Sequence, residues 1–346
     1  LHTWPKPNSG SRIHSSRPKR PKTSWTKPKP DGHNFAKRSR SFQIISPRFN
    51  RNMSPLSDTA VRPLIRLALR EDRASADATS RAVVPANLRI RARIIAKAPG
   101  ILAGGPIARW TFQTIDSSLR CRLIQAEGAR LVHGTTILTV EGRVRSILAA
   151  ERTALNLLGH LSGVATLTRA FVDKTKGTRA KIFDTRKTLP GLRTLEKYAV
   201  RAGGGQSHRT SLAEAILIKT NHLRVVSGQW SVTSEIIQRA VRDAQRKAKG
   251  KFVEIEVTNL AEFKAALETK PDAILLDNWT TKRIRNAVIF KNHWSLVTGH
   301  RSLLEVSGGV TLANVRAIAR TGVDRISIGR LTHSAPALDV SLRVIS

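Results

Sequence analysis

The sequence predicts an α/β protein built in two parts. Residues 53 to about 145 combine amphipathic helices with strands that alternate apolar and polar residues, which is typical of an α+β domain. After residue 175 the pattern changes to short apolar strands that alternate with amphipathic helices. Repeated βα units imply a parallel sheet, and their number predicts a barrel, closed or partial.

In the first part, the elements alternate between helices and half-exposed strands. "VRPLIRLALRED" places apolar residues at helical spacing, and "LRIRARIIA" alternates apolar residues with arginine in the period of a strand. "GGPIARWTFQTID" indicates a helix, and "LRCRLIQAEG" and "GTTILTVEG" supply two more strands. A long helical stretch, "RSILAAERTALNLLGHLSG", then leads into the second part.

Six short apolar strands are expected in the second part. They are "AKIFD", "AILIK", "FVEIEV", "AILLD", "LLEVSG" and "RISIG". The helices that separate them include "SEIIQRAVRDAQRKAKG", "LAEFKAALETK" and "LANVRAIARTG". The 346 residues, 40% of them hydrophobic, suffice for one large domain or two smaller ones, each with its own core.

The chain is strongly basic. Lys and Arg outnumber Asp and Glu by 60 to 24, which points toward anionic partners. The single cysteine, Cys121, excludes an internal disulfide framework and a cysteine-rich metal site. No uncharged apolar run approaches the roughly 18 to 20 residues that cross a bilayer, so we expect a soluble protein with no membrane partner.

The first 52 residues differ from the rest. They contain thirteen Lys or Arg, one acid, and many Pro and Ser, so they cannot bury enough apolar surface to fold, and we expect disorder. Three interpretations stay open: a nucleic-acid-binding arm, an organellar transit peptide, and upstream sequence that the native protein lacks. The only methionine, Met53, stands where ordered periodicity begins, which favours the third. Without this segment, 47 basic residues still stand against 23 acidic ones.

Polar side chains recur at the ends of the predicted barrel strands, where the chemistry of such barrels collects. Basic residues end the early strands, acids the middle strands, and small or hydroxyl residues the last two. In chain order they are Asp184, Arg186 and Lys187; Lys219, Asn221 and His222; Glu254 and Glu256; Asp277 and Asn278; Glu305, Ser307 and Gly308; and Gly329. Agreement among six strand ends favours one site over unrelated ion pairs.

These groups fit different parts of a substrate. The glycines are typical of a phosphate cradle, and the middle acids fit Mg²⁺ or ribose hydroxyls. The early basic residues, joined by Arg209 of the loop "GGGQSHRTS", fit further carboxylate or phosphate groups. The implied substrates are a sugar phosphate and a small polyanion. Taken alone, a "GG" is equally a turn, and a strand-end acid and base are equally a solvated ion pair.

Longer blocks of the sequence resemble the quinolinate phosphoribosyltransferase family, also called nicotinate-nucleotide pyrophosphorylase (carboxylating). The blocks include "ERTALNLLGHLSGVAT", "DTRKTLPGLRTLEKYAVRAGGG", "HRTSLAEAILIKTNH", "VEIEVTNLAEFKAAL", "EVSGGVTLANV" and "TGVDRISIGRLTHSAPALDVSL". The similarity runs from about Ser57 to the C-terminus. The block "DTRKTLPGLR" is far more specific than a short glycine motif.

The resemblance implies an N-terminal α/β sandwich domain followed by an open, incomplete α/β barrel of the TIM type. The implied domains are residues 53–165, joined by the C-terminal residues 334–346, and residues 166–333, which hold the active site. The implied activity is phosphoribosyl transfer from phosphoribosyl pyrophosphate (PRPP) to quinolinate with decarboxylation, giving nicotinate mononucleotide in NAD biosynthesis. Mg²⁺ is the implied cofactor, with PRPP as co-substrate.

The resemblance also assigns roles to residues. The implied quinolinate ligands are Arg186, His208, Arg209 and Lys219, with Arg152 entering from a partner subunit. The implied catalytic residues at PRPP are Lys187, Glu256 and Asp277, the two acids acting through Mg²⁺. The implied 5′-phosphate ligands are Ser307, Gly308 and Gly329. Thr220 stands where many members have an acid, which puts an acidic role there in doubt but leaves Lys219 unaffected.

The resemblance further implies a homodimer or a higher oligomer in the cytoplasm, or in an organelle if residues 1–52 are a transit peptide. A related pyrophosphorylase-like protein of molybdenum transport shares the "TRKT" and "HR" motifs, but the lysine of "ILIKTNH" favours the quinolinate enzyme. A nucleic-acid-binding protein is the rival from another class. Aromatic residues make up only 5% of the chain and no binding module is recognisable, so nucleic acid is expected only through residues 1–52.

Overall fold

The structure, a computed structural model, describes residues 56–228 and 232–345. Its helices are α1 (Asp58–Glu71), α2 (Ala78–Val83), α3 (Gly105–Ile115), α4 (Val144–Thr175), α5 (Arg193–Ala202), α6 (Thr220–Ser227), α7 (Ser234–Lys247), α8 (Leu260–Glu268), α9 (Thr281–Thr298), α10 (Val315–Ala319) and α11 (Arg330–His333). Its strands are β1 (Arg89–Ala96), β2 (Gly100–Ile101), β3 (Arg120–Leu123), β4 (Arg130–Leu131), β5 (Thr136–Arg143), β6 (Lys181–Phe183), β7 (Ile216–Ile218), β8 (Val253–Val257), β9 (Ala273–Asp277), β10 (Leu303–Ser307), β11 (Arg325–Ser327) and β12 (Val340–Val344). The disorder expected of residues 1–52 lies outside the described residues.

The first sheet is antiparallel, with strand order β12-β1-β5-β3. Its strands alternate between buried and exposed residues: in β1, Ala92 and Ile94 are fully buried, whereas Arg91 and Arg93 beside them are exposed. The buried face packs on α3 and α4, where Phe112 and Ile147 are also fully buried. The last strand, β12, returns from the far end of the chain and pairs with β1, so residues distant in sequence complete this sheet.

The 32-residue helix α4 guides that return. A Cβ at Gly159 would lie 2.9 Å from the carbonyl oxygen of Leu338, and one at Gly163 would lie 2.0 Å from that of Pro336. The Leu338 amide donates to the carbonyl oxygen of Gly159 at 2.9 Å. The chain therefore reaches β12 along a groove that the absence of two side chains creates.

The second sheet is parallel, with six strands in the order β6-β11-β10-β9-β8-β7. Its two edge strands, β6 and β7, follow each other in the chain but do not pair, so the barrel is open between them. On this open side, the segment 206–209 lies beside β6, because Phe183 and Gln206 form a parallel bridge. All six strands end at one edge, which is where the connecting loops place polar side chains.

Helices alternate with these strands and cover the outside of the sheet. Their buried faces share one core with the strands, which contains Phe263, Ile274 and Ile326, each fully buried. Among the described residues, no helix combines the length and the apolar character that crossing a bilayer requires.

The predicted α/β class is confirmed, with an antiparallel sheet first and six parallel strands after it. Each of the six predicted barrel strands is present. Helix α9 was not predicted, because exposed apolar residues such as Ile289, Leu296 and Val297 obscure its helical period. Helix α10 is shorter than "LANVRAIARTG" suggests.

Gly163 offers a test of the close approach between α4 and the C-terminal segment. Alanine is better than glycine in a helix interior by about 1 kcal/mol. Because a Cβ would overlap the Pro336 carbonyl oxygen, we expect Gly163→Ala instead to lower the free energy of urea unfolding by about 2 kcal/mol. Lys174→Ala, at an exposed position of the same helix, should change it by less than about 0.5 kcal/mol. A more stable Gly163→Ala protein would contradict this close approach of the C-terminal segment to α4.

Candidate active site

The ends of β7, β8 and β9 bring a lysine and two acids together. Nζ of Lys219 donates to Oε2 of Glu256 at 2.7 Å. The amide and the hydroxyl of Thr220 donate to Oε1 of the same carboxylate at 3.3 and 3.2 Å. Thr220 therefore stabilises the negative charge of Glu256, whereas an acid at position 220 would repel it.

Asp277 ends the neighbouring strand, β9, and lies close enough to Glu256 for the charge of Glu256 to affect its pKa. Burial and this like charge raise the pKa of Asp277, although a hydrogen bond from Asn278 and the charges of Lys219 and Lys187 act in the opposite direction. A divalent cation would relieve the repulsion between the two carboxylates, and carboxylate oxygens are ligands that Mg²⁺ prefers. The donor set of Glu256 and Asp277 therefore fits magnesium.

Two guanidinium groups lie close together at the open side of the barrel. Burial and the like charge of Arg186 lower the pKa of Arg209. Nη1 of Arg209 donates to the carbonyl oxygen of Ala215 at 3.0 Å. Nε of Arg186 is buried and has no hydrogen-bond partner among the described residues. A buried unpaired donor beside a second guanidinium fits an anionic ligand.

Both ring nitrogens of His208 are engaged within the protein. Nδ1 accepts from the Arg209 amide at 2.8 Å, so the ring proton lies on Nε2, which donates to Oε2 of Glu254 at 3.0 Å. Burial opposes protonation, but the charges of Glu305 and Glu254 raise the pKa of His208 overall. The bond that Nδ1 accepts favours the neutral ring, because a second proton would face the Arg209 amide. His208 thus connects the barrel interior to the backbone of Arg209.

Two buried acids and an arginine fill the barrel interior beneath the strand ends. Glu254 and Glu305 are at most 1% exposed, and Nη1 of Arg325 lies 3.8 Å from Oε2 of Glu305. Burial and the charge of Glu254 raise the pKa of Glu305 to about 7. Burial acts the same way on Glu254, but His208 and Arg325 outweigh it and lower the pKa of Glu254. His208, Glu254 and Glu305 have the spacing of metal ligands. The ring N–H of His208 already donates to Glu254, and the positive charge of Arg325 lies 3.8 Å from Glu305, so we assign no metal to these residues.

A fully buried ion pair fixes the segment that carries His208 and Arg209. Nζ of Lys197 donates to Oδ1 of Asp184 at 2.5 Å and to the carbonyl oxygen of His208 at 3.0 Å. The His208 amide donates to the same carboxylate oxygen at 2.8 Å. Asp184 therefore lies inside the fold, and its role there is to hold the segment.

The ends of β10 and β11 carry glycines that neighbouring side chains approach closely. Gly308 has a φ of +85°, and a Cβ there would lie 2.2 Å from Oδ1 of Asn278. A Cβ at Gly329 would lie 2.8 Å from Cδ of Lys187. Only glycine satisfies both the backbone angle and the contact at position 308. Ser307 precedes this turn and closes β10.

Arg152 lies on α4, outside this group of strand ends. It lines a cavity of about 230 Å³ together with residues of α1 and α4 and with Asp72. The acids at its rim are Glu71 and Asp72. No residue of the barrel strands lines this cavity, so Arg152 is not brought to the strand ends of its own chain.

The structure thus places the residues with an implied role, Arg152 excepted, at or near the strand ends. The expectation was wrong for Asp184, Glu254 and Glu305, which lie buried inside the barrel. Sequence reasoning missed two supporting residues, Lys197 and Arg325, and it named Thr220 without giving it a role. A buried lysine on an amphipathic helix leaves no mark in the periodicity, because its stem packs like an apolar residue. Arg325 begins the apolar strand "RISIG", and that position was the only available signal.

Two family models match most of the described chain. The N-terminal domain of quinolinate phosphoribosyl transferase matches residues 77–162, and its C-terminal domain matches residues 164–343. A nicotinate-nucleotide pyrophosphorylase [carboxylating] of Mycobacterium leprae is 43% identical over 286 residues, 82% of this chain and 96% of that protein. The chloroplastic protein of the same name from Arabidopsis thaliana is 35% identical over 298 residues, 82% of each chain.

A solved structure has the same fold. The nicotinate-nucleotide pyrophosphorylase from Francisella tularensis is 37% identical, with a TM-score of 0.75 over 84% of this chain and 98% of that one. The residues that the two family models match span both sheets, from β1 into β12. The chain belongs to the quinolinate phosphoribosyltransferase family.

Proposed function

We propose that the strand ends of β6 to β11 bind quinolinate and PRPP and catalyse their conversion to nicotinate mononucleotide, pyrophosphate and CO₂. One observation carries the residue assignment: this edge divides into a cationic part, Arg186 and Arg209, and an acidic part, Glu256 and Asp277. A pyridine dicarboxylate fits the first, and a magnesium pyrophosphate fits the second. The names of the relatives describe the same reaction.

The adjacent carboxylates of quinolinate would lie between Arg186 and Arg209. Two unit charges 4 Å apart attract by about 4 kcal/mol at an effective dielectric near 20, so several such contacts offset the desolvation of a dianion. Lys219, bonded to Glu256, stands between the two parts and would contact a carboxylate from the acidic side. The anion also relieves the repulsion between the two guanidinium groups.

His208 would act on quinolinate indirectly. Its nitrogens already bond to Glu254 and to the Arg209 amide, so it holds the backbone from which the Arg209 side chain extends. This role differs from the direct contact that the resemblance implied.

PRPP would occupy the acidic part and the glycine turns. Glu256 and Asp277 would hold Mg²⁺, which stabilises the charge of the departing pyrophosphate when bound. Lys187 supplies a second positive charge, and its stem already crosses Gly329. Ser307 and Gly308 fit the 5′-phosphate through their hydroxyl and backbone N–H groups.

The reaction follows from these charges. The pyridine nitrogen attacks the anomeric carbon as the bond to pyrophosphate breaks, and Lys187 stabilises the leaving oxygen. The ring is then cationic, so it accepts the electron pair released when the 2-carboxylate leaves as CO₂. A proton adds at the same carbon and gives nicotinate mononucleotide. Arg186 and Arg209 hold the carboxylates so that the nitrogen faces the ribose.

Arg152 would complete the site of a partner in a two-fold dimer. Its cavity contains no residue of its own barrel strands, and a two-fold interface would bring the same surface of each subunit to the other.

The cytoplasm is the proposed location. The chloroplastic name of the Arabidopsis relative makes organellar import the alternative, and organelle fractionation of a full-length tagged chain distinguishes the two.

A direct assay tests the function. The purified chain with quinolinate, PRPP and Mg²⁺ should form nicotinate mononucleotide and release one CO₂ for each nucleotide. Product without CO₂ release, or no product from quinolinate, would contradict the proposed reaction.

For the acidic part, we expect Glu256→Gln and Asp277→Asn to raise the Mg²⁺ concentration for half-maximal rate by about tenfold, because an amide is a poorer ligand for a hard cation. The quinolinate dissociation constant, measured without PRPP, should stay within about threefold of the wild-type value. Glu235→Gln, at an exposed position of α7, is the matched control and should change neither. Unaltered Mg²⁺ titrations in both variants would exclude the two acids from the metal site.

For the cationic part, a double-mutant cycle separates an indirect role of His208 from a direct one. We expect His208→Leu and Arg209→Ala each to weaken quinolinate binding by about tenfold or more, and the double variant to bind like Arg209→Ala alone. His208→Asn, whose amide oxygen can still accept from the Arg209 amide, should retain most of the affinity. Calorimetric titration gives the constants, and circular dichroism checks the fold. Additive losses would mean that His208 contacts quinolinate itself.

For Arg152, subunit mixing decides whether it acts across the dimer. Arg152→Ala and Arg209→Ala dimers should each be nearly inactive. After random exchange, half the dimers are mixed and half their sites are intact, so we expect roughly a quarter of wild-type activity. Background activity, with exchange demonstrated by labelled subunits, would show that Arg152 does not act in trans.

A further inference from the structure

The outer face of the antiparallel sheet carries seven arginines. They come from all four strands and are exposed: Arg89, Arg91, Arg93, Arg120, Arg122, Arg143 and Arg343. We call this set the arginine face. The opposite side of the same strands is the buried side that packs on α3 and α4. Among the described residues of these strands, Glu141 is the one acid on the arginine face.

Strand register arranges the arginines in three rows. The first row pairs Arg89 with Arg143. In the second, Glu141 lies between Arg91 and Arg120. The third row crosses the whole sheet and contains Arg343, Arg93, Thr139 and Arg122. Strand geometry spaces the rows by about 6.7 Å and neighbouring strands by about 4.8 Å, so the face measures roughly 13 by 14 Å.

This arrangement costs stability. Like charges directly opposite each other on neighbouring strands are destabilising, and Arg89 faces Arg143 while Arg93 faces Arg343. In the described part of the chain, the Arg91–Glu141 pair, at 3.2 Å, and the weaker attraction of Arg143 to Asp116 offset the repulsion only in part. The proposed reaction does not use these residues, which lie on a different sheet from the strand ends of the barrel. An external anion that bridges the rows would remove the repulsion.

The chemistry of the face favours phosphodiester groups. Guanidinium groups bind phosphate oxygens in a bidentate manner and keep their charge at all physiological pH values. The rigid sheet holds them at fixed intervals, which suits a regular polyanion better than a flexible acidic peptide. The seven positions include no aromatic side chain on which the unpaired bases of a single strand could stack. A lipid surface is disfavoured because these positions offer no apolar group to insert.

We propose that the arginine face binds the phosphate backbone of a nucleic-acid duplex without reading its sequence. A duplex carries one charge per roughly 1.7 Å of its axis, so a face about 13 Å long meets several phosphates at once. The sequence alone predicted nucleic acid only through residues 1–52, because aromatic residues are few and no binding module is recognisable. The strand register that gathers these arginines on one face is visible only in the structure. The face is a separate surface within the folded part.

A matched pair of triple variants tests the proposal in the full-length protein. The face variant is Arg93→Gln, Arg122→Gln and Arg343→Gln, which neutralises the third row. The control variant is Arg239→Gln, Arg242→Gln and Arg246→Gln, which removes three exposed arginines from α7. Both lose the same charge, and both keep residues 1–52. Fluorescence anisotropy with a labelled 20-base-pair DNA duplex of arbitrary sequence, at several salt concentrations, gives the dissociation constants.

We expect the face variant to bind the duplex about tenfold or more weakly at 0.1 M salt, and the slope of log affinity against log salt to fall by about 2 to 3. The control should keep both values. The melting temperature of the face variant should not fall, since it loses the Arg93–Arg343 opposition, and its quinolinate activity should match the wild type. Equal loss in both triples, or no loss in either, would overturn the proposal. Face-dependent binding to anionic vesicles or polyglutamate, with none to the duplex, would overturn it too.

Discussion

The geometry of the cationic part depends on one buried interaction, the contact of Asp184 and Lys197 with the backbone of His208. The barrel is open between β6 and β7, so the segment 206–209 has one strand beside it instead of two. The ion pair supplies what the missing strand would: a donor for the carbonyl and an acceptor for the amide of His208. Burial raises the pKa of Asp184 and lowers that of Lys197, so neither charge would persist without the other.

Charge in the barrel is layered by depth. Glu254 and Glu256 are two residues apart on β8 and point to the same side, yet Glu254 is buried with His208 whereas Glu256 meets Lys219 at the strand end. The inner layer holds the backbone of Arg209, and the outer layer offers its charges to substrates. Thr220 donates two hydrogen bonds to Glu256 in the outer layer and itself supplies no acid.

Sequence patterns predicted the six barrel strands and the edge at which polar residues collect, because apolar strands and βα alternation leave strong local signals. They could not predict depth. Asp184, Glu254 and Glu305 follow the same strand-end pattern as Glu256 and Asp277, but only the folded barrel shows that they lie inside it. Alternation predicted that the arginines of β1 share a face, whereas the register that adds Arg343 depends on a strand about 250 residues further along the chain.

The long sequence separation between β1 and β12 also sets the order in which the two sheets can be completed during synthesis. During synthesis the outer edge of β1 has no partner until residues 340–344 have left the ribosome, whereas the barrel strands from β6 to β11 are already complete. An unpaired edge invites pairing with a neighbouring nascent chain, and charged side chains along it discourage that pairing. We therefore expect the exposed charges of Arg91 and Arg93 to disfavour such pairing while translation continues.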